Sequence, residues 1–370
     1  MTTKPTRHLL GISGGKDSAA LAIYLRDKHP ELDIEYYFTD TGKELEETYT
    51  LISNLEGYLG KKVTRLEAVS KDDSPEDSFD HFVKVYGGYL PSSSARWCTK
   101  KLKLEPFEKF VGDDPVISYV GIRGDEDREG YISRKPNIQS IFPFRRNIWS
   151  EDVVQKVLQA DSLVKLRDLY EELSDVAQRA RVVELAETPL SRGFSQNQKL
   201  NALLDADTIL FNKVVFEMLR GTSYPLAQQE SFSLLQNDDN LVRDDIFRIL
   251  RSSGVGVPAY YEKITFEVEG QQGEYARSRS GCYFCFFQQK IEWVWLYEQH
   301  RDKFDLALEY EKDGYTWMEE PLSELAKPER IRQIKLDTIA KQQRSKAPSS
   351  AFLLDILDDE EEVGCASCFI

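Results

Sequence analysis

Between His8 and Lys28 a short apolar strand, HLLGIS over 8–13, gives way to Ser13-Gly14-Gly15-Lys16-Asp17-Ser18 and then to a helix over 17–28, and few folds accommodate that order. The helix carries Leu21, Tyr24 and Leu25 on one face, at the spacing of an amphipathic element. The pattern then repeats, with strands at 34–39, 62–67 and 116–121 and a helix at 44–58. Strands separated by helices imply an α/β class fold, a doubly wound parallel sheet. Ligands of such sheets sit beyond the carboxyl ends of the strands. Three strands here run into loops 13–18, 39–42 and 121–128, so one crevice is expected to collect all three.

The first loop has the chemistry of an anion site. Gly14 and Gly15 allow close approach of backbone to ligand, and the following helix aims unpaired N–H groups at it. Lys16 adds a mobile charge expected to face phosphate across a solvent-filled loop, and Ser13 and Ser18 add hydroxyls. Asp17 either caps the helix or helps hold a divalent cation such as Mg²⁺. The competing reading is an ordinary glycine turn. The spacing is not that of a Walker A loop, so transfer of a γ-phosphate is not implied. In the second loop Asp40 is a candidate Mg²⁺ or ribose ligand beside Thr41 and Gly42, or else a turn aspartate bonding its own backbone. The third loop mixes Arg123, Asp125, Glu126, Asp127 and Arg128, with Arg123 the leading candidate for phosphate.

The sequence divides into a nucleotide-binding part over 1–153, a helical insertion over 154–243, a part with Cys282-x-x-Cys285 over 244–345, and an acidic tail over 346–370 with Cys365-x-x-Cys368. A net charge of -15 argues against autonomous grip on nucleic acid, which depends on lysine and arginine. No apolar run approaches the roughly 20 residues of a membrane span, and the start lacks a signal peptide, so a cytoplasmic location is expected. Five cysteines in a reducing compartment suggest metal or redox chemistry before structural disulfides. Cys98 stands among Arg96, Lys100, Lys101 and Lys103, which favours thiolate, against the alternative of a buried structural cysteine. The aromatics around the Cys282 pair, Tyr283, Phe284, Phe286, Phe287, Trp293 and Trp295, read as core.

SGGKDS, FTDTGKELEET at 38–48, RWCTKKLKLEP at 96–106, GIRGDEDREGY at 121–131 and SGCYFCFF at 280–287 together resemble the PP-loop ATP pyrophosphatases. Within them the likeness is to the adenosine phosphosulfate and phosphoadenosine phosphosulfate reductase branch, and more closely, through RWCT-x-x-LK, to the DndC-type proteins of DNA phosphorothioation. The resemblance implies an ATP-binding PP-loop, with Asp40-Thr41-Gly42 and Arg123 lining the same cleft, and catalytic roles for Lys16, Asp17, Asp40 and Arg123. It also implies a metal centre on Cys98, Cys282 and Cys285 plus a fourth ligand, a [4Fe-4S] cluster or zinc. Many such reductases have two adjacent cysteines where this chain has Cys98 alone. The activity implied is adenylylation in sulfur incorporation, with a cysteine desulfurase or other sulfur donor as partner and DNA contact shared within a multi-subunit complex. Sulfonucleotide reduction through Cys365 or Cys368, and ATP sensing without turnover in a defence subunit, are the rivals.

Overall fold

The structure, a computed structural model, describes residues 4–70, 75–126, 133, 135–312 and 314–346. Strand and helix alternate as the sequence predicts. β1 (Arg7–Gly11) leads to α1 (Lys16–Lys28), β2 (Ile34–Asp40), α2 (Glu46–Leu59) and β3 (Val63–Glu67). Then come α3 (Ser78–Val85), α4 (Trp97–Thr99), a π turn at Lys100–Leu104, α5 (Glu105–Val111), β4 (Val116–Tyr119) and β5 (Ile138–Ile141). The five strands form one parallel sheet in the order β3-β2-β1-β4-β5. Its side chains alternate between two covered faces. Leu10, Ile12, Tyr36, Phe38, Ile117 and Tyr119 meet α1 and α2, while Leu9, Tyr37 and Val116 meet Phe107 and Val111 of α5. Burial on both faces is what makes these strands read as apolar runs.

β5 escapes sequence reading because its four residues, IQSI, are all buried although two are polar. Gln139 is tolerated there because its side-chain oxygen accepts the backbone N–H of Leu226 at 3.0 Å.

The helical stretch starts with α6 (Glu151–Leu158) and continues through α7 (Leu163–Leu173), α8 (Val176–Glu187) and α9 (Gln196–Leu219). α9 is broken at Asp207, whose φ of -167° and ψ of 105° are extended. The Asp207 carboxylate accepts the N–H of Leu210 at 2.8 Å and so caps the second half of the helix. These helices share the core of the sheet, since Val153, Leu166, Tyr170, Phe211 and Val214 pack in one cluster with Leu10 and Ile117. α10 (Arg243–Ser253) then lies against α1.

A hairpin of β6 (Ile264–Val268) and β7 (Gln271–Tyr275) precedes α11 (Lys290–Gln299), α12 (Arg301–Glu309), α13 (Leu322–Leu325) and α14 (Pro328–Lys346). Their apolar faces build a second core that includes Leu45, Phe79, Trp97 and Leu102 from the first half of the chain. Tyr283, Phe284, Trp293 and Trp295 are buried in it, as expected of core aromatics, whereas Phe286 and Phe287, read as core with them, are only half-buried. Among the described residues no helix is long and apolar enough to cross a membrane.

Candidate functional site

β1 lies between β2 and β4, so the chain leaves it in one direction and the sheet continues in the other. That reversal opens a crevice at the carboxyl end of β1. The 13–18 loop occupies it, with the 40–42 turn after β2 on one side and the 121–126 loop after β4 on the other.

Gly14 has a φ of +72°, and a Cβ there would stand 2.3 Å from Thr48 Cγ2. A Cβ on Gly15 would stand 2.6 Å from Ser280 Oγ. Gly14 is therefore required by its turn and by close packing, whereas Gly15, at φ -94°, is constrained only by the close approach of the Ser280 side chain. Gly15 caps α1 without a side-chain acceptor. Ser18 Oγ accepts the N–H of Ser13 at 3.1 Å and lies 3.1 Å from Ser13 Oγ, so both hydroxyls brace the loop itself.

Lys16 differs from its expected setting. It is only 7% exposed, its ammonium lies 4.8 Å over the Tyr261 ring, and it pairs with Asp17 at 3.2 Å. Burial lowers its pKa. Asp17 sits in the first turn of α1 and does not cap it, because its other oxygen is 2.8 Å from an Arg123 nitrogen. Burial pushes the Asp17 carboxyl up, but Lys16 and Arg123 outweigh it and hold the pKa below its ordinary value. Arg123 also pairs with Asp125 at 2.8 Å and Glu126 at 2.6 Å. The three groups predicted to act together thus form one buried chain, Lys16–Asp17–Arg123. Asp127 and Arg128 lie outside the described residues.

Asp40 takes its turn role in this structure. Its carboxylate accepts the N–H of Gly42 at 2.9 Å and the hydroxyl of Tyr49 at 3.0 Å. Gly42, at φ +79°, completes the turn. Thr41 donates to Glu44 at 2.7 Å, and its oxygen lies 3.2 Å from the Cys282 sulfur. Burial, with Asp40 nearby, pushes Glu44 up to about 7. Sequence reasoning passed over Glu44, because in EL-EET it reads as one more helix-start carboxylate.

Two further residues were missed. The Tyr260 hydroxyl donates to the Gly14 carbonyl at 2.8 Å, and the Tyr261 hydroxyl accepts the Lys16 backbone N–H at 3.4 Å. Both come from more than 240 positions away, a distance at which the only sequence signal is an unexplained aromatic pair after Pro258.

Cys98, Cys282 and Cys285 line one pocket of about 510 Å³, solvent-open space included, together with Thr41, Lys103, Phe284 and Phe287. Burial raises the pKa of both Cys282 and Cys285. Among the described residues, however, no three His, Cys, Asp or Glu side chains are grouped to hold a metal ion. The tail pair, Cys365 and Cys368, lies outside the described residues.

Fold and loop together define a doubly wound parallel α/β sheet with a glycine loop at the carboxyl end of its central strand. Residues 7–173 match the family described as the phosphoadenosine phosphosulfate reductase domain. An uncharacterized protein of Methanocaldococcus jannaschii, MJ0066, is 36% identical over 147 residues, which cover 36% of this chain and 28% of that protein. The uncharacterized nin region protein ORF290 of Escherichia phage lambda is 28% identical over 156 residues, covering 36% of this chain and 52% of that protein. The similarity thus spans from about a quarter to about half the length of these relatives.

Proposed function

We propose that the protein is an ATP pyrophosphatase that adenylylates an acceptor as a step in sulfur incorporation, in the manner of the DndC-type proteins of DNA phosphorothioation and phage defence. The observation that carries the reading is the buried Lys16–Asp17–Arg123 chain at the mouth of a glycine loop without Walker spacing. An acceptor oxygen attacks the α-phosphorus of Mg·ATP, the bond to the β-phosphate oxygen breaks, and pyrophosphate leaves. A sulfur nucleophile then displaces AMP from the adenylate. The loop amides, Lys16 and Arg123 favour charge developing on the leaving pyrophosphate, and burial strengthens each of those interactions. Asp17 holds the two cations in place, one on each carboxylate oxygen. A cysteine desulfurase fits the role of sulfur donor. With a net charge of -15, contact with DNA falls to other subunits.

A second reading, reduction of a sulfonucleotide, is favoured by the description of the matching family and by three thiols around one pocket. Parallel assays separate the two. Pyrophosphate released from Mg·ATP without sulfite from adenosine 5′-phosphosulfate or its 3′-phosphorylated form, both assayed with a dithiol reductant present, supports adenylylation. Sulfite without pyrophosphate supports reduction and overturns the primary reading.

A further inference from the structure

Arg277 is only 3% exposed, yet no carboxylate among the described residues pairs with it. One terminal nitrogen donates to the Cys282 carbonyl at 3.0 Å and to the Gln288 side-chain oxygen at 2.8 Å. Among the described residues its Nε and Nη1 have no acceptor, and neither does Nε2 of Gln288 beside it. Glu292, close in the same segment, spends its oxygens on the backbone N–H groups of Ser278 and Gln289. A buried guanidinium with unused donors is strongly unfavourable unless an anion completes it.

The position of this group is informative. Its backbone N–H donates to the Tyr260 carbonyl at 2.8 Å, its guanidinium lies 5.8 Å from the Tyr260 ring, and the Tyr260 hydroxyl holds the Gly14 carbonyl. Its Cys282 contact is to a residue lining the thiol pocket. Ser280, three residues on, packs against Gly15. Arg277 therefore stands behind the segment that covers the glycine loop, between that loop and the cysteines.

We infer that Arg277, with the Gln288 amide, receives a tetrahedral oxyanion, phosphate or sulfate, carried by the nucleotide substrate. The inference rests on the nucleotide reading above and extends it to a residue outside the 7–173 match. The fork of a guanidinium suits two oxygens of such a group, and the two free Arg277 nitrogens supply the donors. Entry requires the 277–282 segment to shift, because the unused nitrogens are now shielded from solvent.

Calorimetric titration of the full chain with inorganic pyrophosphate, sulfate, ATP and adenosine tests this. Wild type should bind pyrophosphate or sulfate, and whichever binds more tightly identifies the group received. Arg277→Gln and Arg277→Lys should each weaken that binding at least tenfold while adenosine affinity changes less than twofold. If neither arginine variant folds, Gln288→Leu takes their place with an expected loss of at least threefold. Wild type that binds neither anion, or variants that bind as tightly as wild type, would overturn the inference. ATP binding indifferent to Arg277 would leave the nucleotide reading standing without it. Anion binding through Arg277 in a chain that ignores ATP and adenosine would keep the oxyanion site and remove the nucleotide as its carrier.

Discussion

Lys16 is held by Asp17 on one side and by the Tyr261 ring beneath, so its ammonium is already placed before a ligand arrives. Lys16→Ala should weaken ATP binding by about 1.5–3 kcal/mol, the worth of one charge-assisted contact, and abolish pyrophosphate release. Titration calorimetry and a coupled phosphate assay read the two effects, and an unchanged affinity would remove Lys16 from the site. Glu44 gives a pH signature. Its pKa rises from 4.5 in the unfolded chain to about 7 when folded, so between those values the folded state holds the extra proton. Its contribution to stability is therefore greatest below pH 4.5 and is lost as pH rises towards 7, by something of the order of 3 kcal/mol. Glu44→Gln should flatten that part of the stability curve in urea unfolding at pH 5 and pH 7.5. A difference between variant and wild type that does not change with pH would contradict the assignment. At this scale the sequence exposes Lys16, Asp17 and Arg123, because glycine spacing and strand ends mark them. It hides Glu44, Tyr260, Tyr261 and Arg277, whose importance comes only from neighbours brought in by folding.

Secondary structure elements carry their own tests. Tyr260, just before the β6–β7 hairpin, ties the C-terminal part of the chain to the Gly14 carbonyl. Tyr260→Phe should lower stability by about 1 kcal/mol in urea unfolding, the net worth of a buried hydrogen bond. A larger loss would mean that the ring's packing had also been disturbed. In α9, Lys199 is fully buried and donates to the carbonyls of Ala186 and Thr188, both at 2.7 Å, at the end of α8. Burial brings its pKa down to about 8. Between pH 8 and its unfolded value of 10.5 the unfolded chain holds the extra proton, so stability should rise with pH across that window. Lys199→Met should lack that rise in thermal melts taken at pH 8 and pH 10. The sheet was legible because β1, β2 and β4 are apolar and end in marked loops, whereas β5 was not, since Gln139 and Ser140 interrupt its four residues. The break in α9 was hidden for a similar reason, as Asp207 sits in an otherwise continuous helical pattern.

Across the whole molecule, two cores meet at the carboxyl end of one sheet. The first joins the sheet to α6–α9, and the second joins α11–α14 to Leu45, Phe79 and Trp97. The crevice between the strand ends is therefore walled by distant parts of the chain, with Lys16, Asp17 and Arg123 from the first part and Tyr260, Tyr261 and Ser280 from the other. Sequence motifs locate the first set and leave the second unassigned, because nothing local fixes which loop an aromatic pair will cover. At this crevice Lys16 and Arg123 are each paired with carboxylates, Asp17 between them and Asp125 and Glu126 on the far side of Arg123. The most direct test of the account follows the two ends of ATP separately. Purified protein is incubated with Mg·ATP labelled with ³²P at the α- or the γ-position, with candidate acceptors present, and the products are resolved by chromatography. The account predicts α-label in AMP or an adenylate and γ-label in pyrophosphate, in equal amounts and absent with Lys16→Ala. Gamma label appearing as orthophosphate with α-label in ADP would contradict it.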